Sequence, residues 1–391
     1  MKVLFAGGGT GGHILPIIAV AREIRRTYPK GENLQFFYIG PKDEFGSILL
    51  TQEGIKVKTV LAGKIRRYFN WKSFLQNLGD IIFKIPFGVL QAFFYIFFLA
   101  PDLTFSKGGF GSIPGVVASW LLRVPIFLHE SDVTPGLANR FLGKFALEIF
   151  VSFPKTEYFP PKKMIAVGNP IRKEILEGKR EEAQKFFKLG GGEPVILILG
   201  GSQGAQRIND KILEILPELL KNFEIFHQCG DKNFKQVKAE AKAILPEGLE
   251  KNYHLFPFLR EEELKQAFAI CDFIVSRAGS GSIFEIAASG KPSILIPLPE
   301  AAQNHQVKNA YAYAEEGASI VMEEANFTSH FFLEKLKYLF SSPEELEKMQ
   351  KAAKDFSKPQ AAKVLAAYIC SYLSPSPPKV DEGGNERSSL T

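Results

Sequence analysis

The chain has 391 residues, 46% hydrophobic and 23% charged, a balance that supports buried cores and excludes a disordered chain, and its length predicts two domains. Cys229, Cys271 and Cys370 are odd in number and lack any CxxC or Cys/His spacing, which excludes a disulfide framework and a structural zinc site and fits a reducing compartment. The net charge of +6 is unevenly held: residues 1–170 carry 20 Lys+Arg against 11 Asp+Glu, the remainder 28 against 31, so an anionic partner (phospholipid, nucleic acid or a phosphorylated substrate) would meet the first half.

The opening KVLFA reads as a strand, GGGTGGH as a turn and ILPIIAVAREIRR as an amphipathic helix with basic residues in its last turn. The apolar run of MKVLFAGGGT breaks into glycines before a signal-peptide core could form, and a cytoplasmic chain is expected. QFFYIG, PDLTFS, PIFLHE and EIFVSF supply further strands, with segments such as GVVASWLLR between them. Strands alternating with helices predict a parallel sheet covered by helices.

A second series starts with PVILILGGSQGA, followed by a helix from about Arg207 to Leu220 and by the strands FEIFHQCG, NYHLFPF, CDFIVS and PSILIPLP. The expected fold class is therefore α/β, with two Rossmann-like doubly wound domains facing a cleft. The expected bounds are 1–168 for the N-terminal domain and 169–355 for the C-terminal domain. A C-terminal helix over 356–373, which the sequence assigns to neither half, and a disordered tail over 374–391 follow. GNPIRKEI, Gly168 to Ile175, is the expected linker.

Three strand-to-helix turns carry chemistry. Gly7-Gly8-Gly9-Thr10-Gly11-Gly12-His13 lets backbone N–H groups and a helix dipole approach an anion. It lacks the GK[ST] of a phosphate-binding P-loop, and although Gly7, Gly9 and Gly12 fit the dinucleotide spacing, no acidic residue ends the next strand to hold a ribose. His13 is placed to act as a base or to bind an anion, with capping or packing as the structural alternative. Gly200-Gly201-Ser202-Gln203-Gly204-Ala205 repeats the arrangement in the second half. In Ser276 to Glu285, a glutamate one turn into the helix suits ribose hydroxyls better than phosphate.

Six segments, GGGTGGH, GGFGSIPG (108–115), HES (129–131), GNPIR (168–172), GGSQGAQRIN (200–209) and SRAGSGSIFEIAASGKP (276–292), occur in the order and at about the spacings of one family. Over Met1 to about Leu339 the chain resembles the MurG family of GT-B glycosyltransferases. The resemblance implies inverting transfer of N-acetylglucosamine from UDP-N-acetylglucosamine to undecaprenyl-linked lipid I, giving lipid II in peptidoglycan synthesis. It implies donor contacts from Thr10, Gly11 and Gly12, from Arg172 and Ser202 on the diphosphate, and from Leu259, Ser280, Gly281, Ser282, Ile283, Phe284 and Glu285 around uridine. Gln306 would hold the sugar hydroxyls, and His13 would be the catalytic histidine. Asp132 stands where the family commonly has asparagine, Phe110 where it has tyrosine, and SGSIFE departs from its more common wording at that helix start.

No DxD-like pair accompanies these motifs, so no metal site and no required cofactor are expected, with divalent-metal stimulation left open. Residues Lys64 to Leu99 are apolar and aromatic beside Lys64, Arg66, Arg67, Lys72 and Lys84. This is the composition of an interfacial segment against an anionic membrane surface. Spanning and burial in the core are the alternatives, and Lys84, Pro86 and Gln91 interrupt a spanning run. The expectation is a peripheral enzyme at the cytoplasmic face of the cell membrane, with UDP-N-acetylglucosamine and lipid I as partners and no nucleic acid. Another GT-B enzyme (a glycolipid synthase or epimerase) and a nicotinamide-dependent oxidoreductase are the rival readings.

Overall fold

Strands of Val, Ile, Leu and Phe that are apolar on both faces can be buried only in the middle of a helix-covered parallel sheet. The computed structural model describes residues 1–8, 11–28, 33–63, 71–156, 158–201 and 204–374, with backbone alone for 72–74. Its first sheet contains β1 (Lys2–Gly7), β2 (Gln35–Gly40), β3 (Lys56–Thr59), β4 (Leu103–Gly108), β5 (Ile126–Glu130), β6 (Glu148–Val151) and β7 (Met164–Ala166). They lie in the order β3-β2-β1-β4-β5-β6-β7, and all are parallel. The second contains β8 (Val195–Leu199), β9 (Glu224–Gln228), β10 (Tyr253–Phe256), β11 (Phe273–Ser276), β12 (Ser293–Leu295) and β13 (Ser319–Val321), in the order β10-β9-β8-β11-β12-β13. Each order reverses beside its first strand, so each sheet opens a crevice at the carboxyl ends of β1/β4 and β8/β11.

The ten strands read from the sequence are all present. β3, β7 and β13 are additional, and each lies at a sheet edge, short and at least partly exposed. The last helix, Ala361–Leu373, settles on the N-terminal half: Leu365, Ala366, Ile369 and Cys370 join the core of Ile14, Ile17, Ile18 and Phe105. The chain therefore crosses between halves twice, at the linker near Gly168 and again before Ala361. The two crossings touch, because a Cβ on Gly168, whose φ is +87°, would lie 2.4 Å from the Cβ of Lys358. The expected tail, from residue 375 onward, lies outside the described residues.

The apolar segment between β3 and β4 forms helix from Trp71 through a π-helical turn at Asp80–Lys84 to Leu99. Leu75–Leu99 is long and apolar enough to cross a membrane, and 17% of its apolar window is buried. Its buried stripe is narrow and built largely of small residues, Gly88, Ala92 and Ile96. A Cβ on Gly88 would lie 1.9 Å from the Leu61 carbonyl oxygen, so the middle of the helix is pressed against the backbone that leaves β3. A helix held to the sheet by its middle and by both flanks cannot be surrounded by lipid. Its other face presents Ile82, Phe83, Phe87, Leu90, Phe94, Phe97 and Phe98, from 50% to 80% exposed.

Two glycines of this segment make opposite predictions. Gly88→Ala forces the helix off Leu61 and is expected to lower stability by about 1–3 kcal/mol. At Gly79, helical and with nothing among the described residues within 4 Å of an added Cβ, alanine is expected to raise stability by about 0.5–1 kcal/mol. Urea unfolding of the two variants checks both signs.

Candidate active site between the two sheets

Glycine is required where β1 and β4 end, because the His13 ring lies between their turns. A Cβ on Gly8 would come within 3.2 Å of His13 Nδ1, and one on Gly109, whose φ is +79°, within 2.9 Å of Nε2. Gly11 and Gly12 open helix Gly11–Thr27, and His13 follows one residue later. Burial lowers the His13 imidazole to about 4; the Lys107 charge pushes the same way, Asp132 opposes it and His305 adds to it. The ring is thus neutral at neutral pH.

β5 ends in His129-Glu130, and the loop continues through Ser131 and Asp132. Glu130 is buried, which pushes its carboxyl up, with Asp132 adding to the effect. Its oxygens accept from the Asp132 N–H at 2.9 Å and from Asn139 Nδ2 at 2.7 Å. Asn139 in turn accepts the Gly109 N–H at 3.1 Å, so the carboxyl supports the turn under His13. Asp132 reaches the other half: its Oδ1 accepts from Asn309 Nδ2 at 2.8 Å, while Asn309 Oδ1 accepts the Val133 N–H at 2.9 Å.

From the second half, helix Ser280–Ser289 points its first turn at this loop. The Ser280 hydroxyl donates to the Ser131 carbonyl, and a Cβ on Gly281 would lie 3.9 Å from Asn169 Nδ2. The first N–H groups of a helix have no intrahelical acceptor and favour an anion. Two residues of the linker border this helix, Asn169 near Gly281 and Arg172 near Glu285. Asn169, 1% exposed, and Arg172, 8% exposed, leave Nδ2 and Nε respectively without a hydrogen-bond partner among the described residues. Buried donors in that state are rare and costly, which is the signature of a missing acceptor.

The other nitrogens of Arg172 are occupied. Nη1 lies 3.0 Å from Glu261 Oε2 and Nη2 lies 3.5 Å from Glu285 Oε1. Burial pushes the Glu285 carboxyl up, and Arg172 opposes that shift. Glu261 is shared with Arg22 of helix Gly11–Thr27, at 2.9 Å, so one carboxylate joins the linker arginine to the N-terminal half.

The remaining expected residues divide. Ile283 and Phe284 turn their side chains into the core, so only their backbone can meet a nucleotide. Leu259 is likewise buried; its N–H donates to Gln228 Oε1 at 3.1 Å, and Gln228 Nε2 donates to the Gly201 carbonyl at 3.2 Å, tying the second glycine turn to this position. Gln306 accepts the Leu298 N–H at 3.0 Å and opens helix His305–Ala314 behind a strained turn in which Gln303 and Asn304 have φ of 60° and 53°. Ser282 lies in the first turn of helix Ser280–Ser289. Thr10 and Ser202 lie outside the described residues. Lys107, Asn139, Asn169, Glu261 and Asn309 escape the sequence reading. Signals there exist for two of them: Asn169 lies inside the GNPIR segment, and Lys107 is a lysine ending an apolar strand before two glycines.

Two doubly wound domains that face each other across such a cleft, each offering glycine turns and a helix start, form the GT-B architecture of glycosyltransferases. The glycosyltransferase family 28 N-terminal domain matches residues 3–151 and the family 28 C-terminal domain matches residues 195–365. A protein of Bacillus cereus named UDP-N-acetylglucosamine--N-acetylmuramyl-(pentapeptide) pyrophosphoryl-undecaprenol N-acetylglucosamine transferase 2 is 38% identical over 374 residues, 94% of this chain and 99% of its own. The transferase of that name from Clostridium tetani is 36% identical over 352 residues, 90% of this chain and 93% of its own. The crystal structure of MurG from Acinetobacter baumannii superposes with a TM-score of 0.70 at 26% identity, covering 94% of this chain and 98% of that one. UDP-GlcNAc 2-epimerase from Neisseria meningitidis shares the fold, with a TM-score of 0.64 at 16% identity over 94% of this chain and 99% of its own. The chain belongs to glycosyltransferase family 28.

The charge of Asp132 has a measurable consequence. Asp132→Asn keeps an oxygen for Asn309 but removes the charge that favours a proton on His13. The His13 imidazole is therefore expected to titrate at still lower pH in that variant, read by NMR of histidine-labelled protein. An upward movement would contradict the electrostatic assignment.

Proposed function

We propose that the chain transfers N-acetylglucosamine with inversion from UDP-N-acetylglucosamine to the muramyl sugar of undecaprenyl-linked lipid I, forming lipid II for peptidoglycan. The observation that carries the site reading is that helix Ser280–Ser289 turns its first turn toward loop 129–132 while two buried donors of the adjoining linker, Arg172 Nε and Asn169 Nδ2, lack acceptors among the described residues. A diphosphate supplies oxygens to such donors and gains from the helix N-terminus and from Arg172. Glu285, one turn further on and already held by Arg172, is the acceptor for ribose hydroxyls.

The acceptor C4 hydroxyl attacks the anomeric carbon on the face opposite UDP. The new C–O bond forms as the bond to the β-phosphate oxygen breaks, and UDP leaves with the electron pair. The hydroxyl proton passes to His13, which is neutral and able to take it. UDP-N-acetylglucosamine labelled in the sugar is expected to give labelled lipid when incubated with lipid I and this protein; no labelled lipid would overturn the reading. His13→Ala is expected to lower turnover by about two to four orders of magnitude with donor affinity nearly intact. Near-normal turnover at saturating substrates would move the proton elsewhere.

The acceptor resides in a membrane, and the exposed face of Ile82 to Phe98 supports peripheral docking at the cytoplasmic side. Lys58, placed over the Tyr95 ring at 5.8 Å, supplies charge for anionic headgroups, whereas Lys84 is paired with the Asp80 carboxylate at 2.6 Å. Lys64, Arg66, Arg67 and Phe69 of the expected interfacial stretch lie outside the described residues, as does the Phe74 side chain. Phe94→Ser, Phe97→Ser and Phe98→Ser combined are expected to weaken partition into anionic vesicles about tenfold or more, since each loses a large buried apolar group on docking. Transfer to a short-chain soluble acceptor is expected to persist. Equal sedimentation of variant and parent with vesicles would place the docking face elsewhere.

A further inference from the structure

Lys107 ends β4 with its side chain almost wholly buried, 1% exposed, and takes no part in the scheme above. A buried ammonium persists only where acceptors replace its water. Three meet it: His129 Nδ1 at 2.8 Å, Asn169 Oδ1 at 3.1 Å and the Ser131 hydroxyl. Three acceptors are what the three N–H groups of a charged lysine need. Burial pushes this ammonium down, and the carboxylates of Glu130 and Asp132 hold it up.

The arrangement also fixes His129. Its Nδ1 accepts from Lys107, so Nε2 carries the proton and donates to the Gly168 carbonyl at 3.0 Å. Burial, and then the Lys107 charge, keep this imidazole well below its ordinary value, in the neutral form that the tautomer requires. One cation therefore pins β4, loop 129–132 and linker residues 168–169 at a single point. The same loop receives the Ser280 hydroxyl and the Asn309 amide from the second half.

The cation also faces His13. The charged and titratable groups around that imidazole are Lys107 from β4, Asp132 from the loop after β5 and His305 from the start of helix His305–Ala314. Glu130 faces Lys107 from β5. After burial itself, Lys107 is the leading influence against a proton on His13.

We propose that Lys107 is a positioning residue for the transfer reaction: it holds loop 129–132 and the interdomain linker in register with His13 and keeps a positive charge facing that imidazole. The catalytic half of this rests on His13 being the base; the electrostatic half does not.

The test uses full-length, histidine-labelled protein, NMR titration of His13, and the pH dependence of transfer. In Lys107→Met the His13 titration is expected to move up by about one pH unit, the size of a lost near charge, and the acidic limb of kcat/KM to move with it. In Ser131→Ala, which trims one acceptor and keeps the charge, kcat is expected to fall about tenfold while the KM for UDP-N-acetylglucosamine and the His13 titration stay in place. A folded Lys107→Met with an unmoved His13 titration overturns the proposal. A titration that moves while the acidic limb does not upholds the charge effect and removes His13 as the base. Should Lys107→Met fail to fold, Ser131→Ala decides, and an unchanged kcat overturns the positioning role.

Discussion

A charge in a protein interior persists only where donors and acceptors surround it, and the junction of the two sheets is organised by that requirement. Lys107 draws His129, Ser131 and Asn169 around itself, and those residues belong to a strand end, a loop and the interdomain linker. Arg172, three residues beyond Asn169, meets Glu261 and Glu285 of the second half. The cleft is thus walled by short polar segments whose partners lie on other elements, while the apolar cores on either side supply rigidity. Placing a leaving diphosphate against fixed donors, rather than against water that must reorient, is what lowers the barrier in such a site.

The parallel strands and their glycine turns are legible in the sequence because both properties are local: an apolar run of five or six residues, then residues that permit a turn. β3, β7 and β13 escape because they are only three or four residues long, and β3 is Lys-Val-Lys-Thr, with both lysines and the threonine exposed. His13 and the helix that begins at Ser280 are legible for the same local reason. The polar junction is not. Lys107 and Asn169 are 62 residues apart, and Asp132 and Asn309 are 177 apart, so only the fold reveals that they meet. Side-chain direction is also hidden: Ile283 and Phe284 share a motif with Glu285 yet turn into the core.

The apolar helix between β3 and β4 shows how composition alone misleads. By length it suffices to cross a bilayer, but its small residues, Gly88 and Ala92, are its attachment to the protein and its large ones face outward. A core helix would show the reverse distribution. Small residues inward and phenylalanines outward leave one apolar side of the helix bare while the other is fixed to the protein.

The return of helix Ala361–Leu373 to the N-terminal half has a consequence for the order of events on the ribosome. Leu365, Ala366 and Ile369 complete a core whose other members lie mostly among the first 170 residues. The half that is synthesised first therefore cannot close its core until nearly the whole chain has emerged, and the second half, whose residues are contiguous, is free to finish before it. Emergence of that helix is then the moment at which the two halves are clasped together.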